Sequence, residues 1–118
     1  MRVGVDTFSG TVDLDPIIEA RPALGMNDVC FSPGGHTYWH AHEHGQILIV
    51  KAGTGFVCTR NGQVEKLQAG DVVYAEPGED HWHGAGPSSY LVHTAISLGV
   101  TTWREEVPDA EYTRVTAA

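Results

Sequence analysis

No stretch of this 118-residue chain sustains a helical period. Short β-favouring runs alternate with turn residues almost throughout, and that pattern admits few folds. Residues 11–15 alternate as a strand, ended by Pro16, and residues 17–20 read as one helical turn or a proline-flanked loop. Residues 27–32 form a strand, Pro33-Gly34-Gly35 a turn, and residues 36–42 a histidine-rich strand bent away at Gly45. The apolar run 47–50 has the pattern of a strand covered on both faces. Gly53 and Gly55 punctuate it before extended structure resumes at 56–60. Asn61-Gly62 then predicts a tight hairpin into 63–67. Strands at 72–76, 81–85, 90–98 and 101–106 complete the series, with an arm or edge strand at 1–10 and a polar tail from Pro108. About ten short strands separated by turns predict an all-β sandwich or barrel.

Length and charge narrow the reading. A chain of 118 residues is expected to form one domain, spanning 1–118, with a core that needs no disulfide staple. A formal charge of −8, with only seven Lys and Arg, excludes a nucleic-acid partner, because phosphate binding needs cations. There is no run of 18 apolar residues to cross a membrane. Residues 1–10 lack the apolar core of a signal peptide, so a cytoplasmic protein is expected. Cys30 and Cys58 stand apart in apolar segments and read as buried free thiols.

Chemistry concentrates in the histidines. Four of the seven lie between positions 36 and 44. On an extended strand alternate side chains share a face, so His40 and His42 point the same way and begin a metal site. His81 and His83 repeat that spacing on a second strand, Gln46 offers a side-chain oxygen just past the Gly45 bend, and His93 stands on the long strand. Histidines spread over three β segments point to a shared interior site, because buried unpaired imidazoles are costly.

Gly34-x5-His40-x-His42-x3-Gln46-x6-Gly53 resembles the first cupin motif, and Gly70-x7-Gly78-x2-His81 the second. The resemblance covers residues 27–98 and implies a jelly-roll β-barrel. Gln46 stands where a Glu is usual, Glu76 where a Pro is usual, and Ala85 where an Asn is usual. Within the family, His40-Ala-His-x-x-Gly-Gln46, Pro77-Gly-x-x-His-Trp-His-Gly-Ala85 and His93 with Ala95-Ile96 are similar to small bacterial cupins that include manganese-dependent hydroxynitrile lyases. Glu43-His44 and Ser97 depart from that group. The resemblance implies ligation of one divalent ion by His40, His42, Gln46 and His81, with His93 as acid/base. Manganese is the implied ion, and Fe, Ni, Co or Zn suit the same donors. It also implies a homodimer or homotetramer.

Three His and one Gln form a neutral donor set, leaving a divalent ion its full charge and favouring Lewis-acid over oxidative work. Gln46 cannot take a proton, whereas His93, with an ordinary pKa near 6.5, can. The expected reaction is lyase-type: a substrate hydroxyl gives its proton to His93, a C–C bond breaks, and cyanide or another stabilised anion leaves. Val29, Tyr38, Leu48, Val50, Tyr74 and Leu91 are assigned to the wall holding this small-molecule substrate, with His83 and Ser97 facing the same pocket. Alternative readings are a quercetinase-like Fe or Ni dioxygenase, an isomerase or cyclase, and a small-molecule-binding cupin without activity. His36 and His44 read as exposed, Glu43 as surface, and Glu76 as sharing the face of Val72 and Tyr74. Trp39, Trp82 and Trp103 read as core or interface aromatics.

Overall fold

A computed structural model describes residues 2–3, 7–21 and 23–117. The strands are β1 (Arg2–Val3), β2 (Phe8–Ser9), β3 (Val12–Arg21), β4 (Leu24–Phe31), β5 (His36–Thr37), β6 (His40–His42), β7 (Gln46–Thr59), β8 (Val64–Gln68), β9 (Val72–Ala75), β10 (His81–Ala85), β11 (Leu91–Leu98) and β12 (Thr101–Trp103). One helix, α1 (Asp109–Thr116), follows them. The main path runs β1-β3-β4-β11-β7-β10-β5-β2 and curls into a nearly closed barrel, so the expected all-β barrel is what forms. Among the described residues no helix is long and apolar enough to cross a membrane.

β7 joins the two sheets. Its first half pairs with β11 and β9, its second half with β10 and β8. Gly53 lies where the halves meet, at φ 75°, and a Cβ there would sit 1.9 Å from the Tyr90 carbonyl oxygen. Only glycine lets the backbones approach this closely. The sequence suggests two strands here. The chain continues as one, because the glycines serve close approach rather than a break.

Two other segments differ from expectation. β3 runs on through Pro16 to Arg21, and residues 17–20 are strand rather than helical turn. Pro16 opposes Asn27 of β4, and β1 reaches only Asp13 and Leu14 on the other side. A proline is tolerated on such an edge, and the register shifts just after it. The tail forms α1, with Asp109 and Glu111 in its first turn and Arg114 in its last, charges that suit the helix dipole. It buries only Val115, too little apolar periodicity to read from sequence.

The barrel interior packs Val12, Val29, Phe31, Leu48, Val50 and Leu91. A second cluster under α1 packs Trp39, Cys58, Trp82, Val107 and Val115. Trp103 is 41% exposed. Both cysteines are free, Cys58 buried as expected and Cys30 only half-buried. The histidine-rich run splits into β5 and β6, and His36 is buried rather than exposed. His44 and Glu43 lie at the surface, as the sequence suggests.

Candidate metal centre

Strand pairing brings the histidines together. His40 of β6 sits directly opposite His81 of β10. Two-residue spacing then turns His42 and His83 inward beside them, and Gln46 enters at the start of β7. These five residues and His93 are all buried, none more than 3% exposed. The His40 and His81 rings lie 4.3 Å apart, His40 and His42 5.0 Å, and His42 and His81 5.5 Å, centre to centre. The candidate ligating atoms of His40, His81 and His83 fall within 4.8 Å of one another.

Hydrogen bonds fix which ring nitrogens face the centre. His40 Nδ1 donates to the Tyr38 carbonyl at 2.8 Å and His81 Nδ1 to the Glu79 carbonyl at 3.1 Å. His42 Nδ1 pairs with the Thr101 hydroxyl at 3.0 Å. Each outward nitrogen is thereby engaged, and Nε2 is left for the interior, the arrangement that orients metal-binding imidazoles. Nε2 of His42 has no hydrogen-bond partner.

Gln46 sharpens the point. Its Nε2 donates to Ser97 Oγ at 3.1 Å, which turns Oε1 toward His81 Nε2, also at 3.1 Å. A neutral imidazole carries one N–H, and His81 faces an acceptor oxygen at each nitrogen. With the amide in this orientation, lone pairs of His81 Nε2 and Gln46 Oε1 converge, an arrangement that a cation between them satisfies. A proton does not resolve this at neutral pH, because burial pushes the His81 pKa below its ordinary value. The neutral donor set thus fits a divalent ion.

The remaining pair differs. His93 Nε2 lies 3.1 Å from His83 Nδ1, so the proton-holding partner here is another imidazole rather than an oxygen. Nε2 of His83 and Nδ1 of His93 are buried without partners. Burial holds both rings neutral, with His93 pushed down to about 4 and His83 well below its ordinary value, the neighbouring imidazoles adding repulsion at His83. His40 and His42 are lowered by the same causes, His42 to about 4.

A cavity of about 380 Å³ opens beside the cluster, with His40, His42, Gln46 and His83 on its wall. Of the other residues assigned to the pocket, Val29 and Ser97 line it. Leu48, Val50 and Leu91 are packed into the barrel core beneath the cavity. Tyr38 lies off the wall, where the break between β5 and β6 presents Thr37 instead. Tyr74 is 52% exposed on the outer face with Val72 and Glu76. His93 sits behind His83, off the cavity surface. The sequence reading missed Phe8, Asn27, Thr101 and Trp103 on the wall. Only Asn27 carried a signal, being two residues before Val29 on the same strand face.

The sequence pattern of the Cupin domain matches residues 27–93. The chain is 45% identical over 115 residues to the (R)-mandelonitrile lyase of Granulicella tundricola, covering 92% of this chain and 88% of that protein. A cupin-like protein of Thermotoga maritima superposes with a TM-score of 0.90 at 38% identity, over 96% of this chain and 90% of that one. The polyketide cyclase RemF of Streptomyces resistomycificus has the same fold at 18% identity, with a TM-score of 0.66 over 92% of this chain and 78% of that one.

Proposed function

This chain belongs to the cupin family, and on that premise we propose that it is a metal-dependent lyase cleaving a small α-hydroxynitrile into a carbonyl compound and cyanide. The observation that carries the reading is the neutral pair His83–His93, 3.1 Å apart and adjoining the oxygen-anchored imidazoles at the end of a cavity. The likeness to a protein named (R)-mandelonitrile lyase supports the reaction class.

His40, His42, Gln46 and His81 would hold the ion. His83 is kept apart from them because its Nδ1 rests on an imidazole, which can accept a proton, whereas the Nδ1 atoms of His40, His42 and His81 rest on oxygens. A divalent ion bound there, manganese being the first to test, supplies Lewis acidity toward an oxygen or a departing anion. The chain's own residues do the rest. With His83 Nδ1–H donating to His93 Nε2, His83 Nε2 presents a lone pair to the cavity. The substrate hydroxyl proton passes to His83 Nε2 as His83 releases its own proton to His93 Nε2. The hydroxyl oxygen's electrons form the C=O bond, the C–CN bond breaks, and its electron pair leaves with cyanide. Return of the proton along the same pair yields hydrogen cyanide and resets the dyad. Both rings start as bases at neutral pH because burial keeps them uncharged. Val29 and Ala95 give the wall an apolar stretch for an aromatic or alkyl group.

The test is release of benzaldehyde from mandelonitrile by the manganese-loaded protein, with dissolved oxygen followed in parallel. Cleavage without oxygen uptake is expected, and His93→Ala should lower kcat/KM by roughly 10²- to 10⁴-fold at unchanged metal content. Oxygen consumption on a chelating substrate, with no cyanohydrin cleaved under any of the five metals, replaces the lyase reading by the dioxygenase one.

A further inference from the structure

The chain carries fifteen acidic residues against seven basic ones, yet among the described residues no carboxylate lines the cavity beside the histidines. The one charged residue on its wall among the described residues is Arg21, at the end of β3. Asn27 lies on the same wall, on β4. Neither side chain has a hydrogen bond or ion pair among the described residues, so their N–H groups remain available at the wall. Three other arginines are engaged: Arg60 with Glu105 and Asp80, Arg104 with Asp80, Arg114 with Glu111. In a chain of net charge −8, an arginine without such a carboxylate among the described residues, on a cavity wall where none of them is acidic, favours negative charge.

We infer that the substrate carries a carboxylate at the end remote from the histidines, received by the Arg21 guanidinium and the Asn27 amide. This deepens the lyase reading and rests on it for the reacting end only. The register sets the span. Gln46 of β7 faces Ser97 of β11, Ser97 faces Gly25 of β4, and β3 lies next. Three strand spacings separate β7 from β3, about 14 Å, part of which the long arginine side chain takes up. The remainder matches a substrate with one aromatic ring between its reacting carbon and its carboxylate. A planar guanidinium holds a carboxylate through two parallel N–H donors, which fixes orientation as well as charge.

The experiment compares kcat/KM for two cyanohydrins, those of 4-carboxybenzaldehyde and benzaldehyde, using the full-length manganese-loaded chain. The wild type is expected to favour the carboxylated substrate by about 10-fold or more, and added salt should reduce that ratio. Arg21→Met should bring the ratio to about 1, with Arg21→Lys between. A wild-type ratio near 1, or a ratio that survives Arg21→Met, overturns the inference. Should Arg21→Met not fold, Arg21→Lys and Asn27→Leu decide, each expected to cut the ratio by about threefold. If the wild type cleaves neither cyanohydrin, the lyase reading fails while the anion site remains measurable. Titration with 4-carboxybenzaldehyde and with benzaldehyde, followed by NMR, then reads it directly. Tighter binding of the carboxylated probe that vanishes in Arg21→Met sustains the site, and equal binding of the two probes overturns it.

Discussion

His36 and His40 lie four residues apart on adjoining strands, are both buried, and both present Nδ1 to a backbone carbonyl. Their surroundings are opposite. His40 faces three further imidazoles, those of His42, His81 and His83. His36 turns to the cluster under α1, where its ring stacks on Tyr112 at 4.4 Å and an 18° tilt and packs near Trp82. Its Nε2 is buried without a partner, as is that of His42. A buried, unpaired nitrogen therefore does not by itself make a site. Convergence of several lone pairs on one point does, and that is what the β6–β10 register produces.

The largest expected effect separates the two regions directly. His81→Ala should weaken divalent metal binding by at least roughly 100-fold and abolish lyase activity, since removing a donor costs more than removing its outer partner. His36→Phe, which keeps a flat ring against Tyr112, should leave metal affinity within about twofold. Calorimetric metal titration checks both, and a large loss of affinity in His36→Phe would show that the His36 ring also supports the metal centre.

A smaller effect lies in the pH dependence of the metal-free protein. His42 and His93 titrate near 4 in the fold, against an ordinary value of 6.5. Because the unfolded chain takes up these protons first as pH falls, the stability conferred by neutral burial is complete above 6.5 and declines down to about 4, where it levels off. Thermal melts should show Tm falling across that window. His93→Gln should shallow the slope by about one proton, sharpening the contrast with an isolated ring. A flat Tm between those limits would show that the cluster is not buried as a group of neutral bases.

The smallest effect concerns an outer partner. Ser97→Ala removes the acceptor that turns the Gln46 amide, and metal affinity should fall by roughly 10-fold. Affinity unchanged in this variant would mean that Ser97 acts only as cavity wall.

Much of this was legible in the sequence, and the reason is local geometry. Two-residue spacing on a strand puts His40 with His42 and His81 with His83 on shared faces whatever the rest of the chain does. Asn61-Gly62 set the β7–β8 hairpin, and the turn glycines marked the corners. What escaped depends on pairing between distant segments. Thr101 meets His42 only because β12 docks on β6, and no motif announces that. Arg21 reaches the cavity only because β3 continues past Pro16, a residue that on local grounds ends a strand. The assignment of Tyr74 to the pocket assumed that β9 turns that face inward, whereas the strand presents Val72, Tyr74 and Glu76 to the exterior. Helix α1 escaped because a single buried valine anchors it.

β7 belongs to both sheets, and this gives the barrel a rigid side and a yielding one. Its amides and those of β10, hydrogen-bonded on two flanks, are expected to exchange with solvent only when the whole barrel opens. β12 pairs with β6 alone, and beyond Pro16 β3 has only β4 beside it among the described strands. Such edges open locally at lower free energy, so their amides should exchange faster. Gln46 and His81 thus stand on the slow-exchanging strands and Arg21 and Thr101 on the fast ones, with His40 and His42 on β6 between β10 and β12. Opening at the Arg21 end of β3 leaves the histidine geometry untouched, whereas opening of β12 would release the Thr101 hydroxyl from His42 Nδ1.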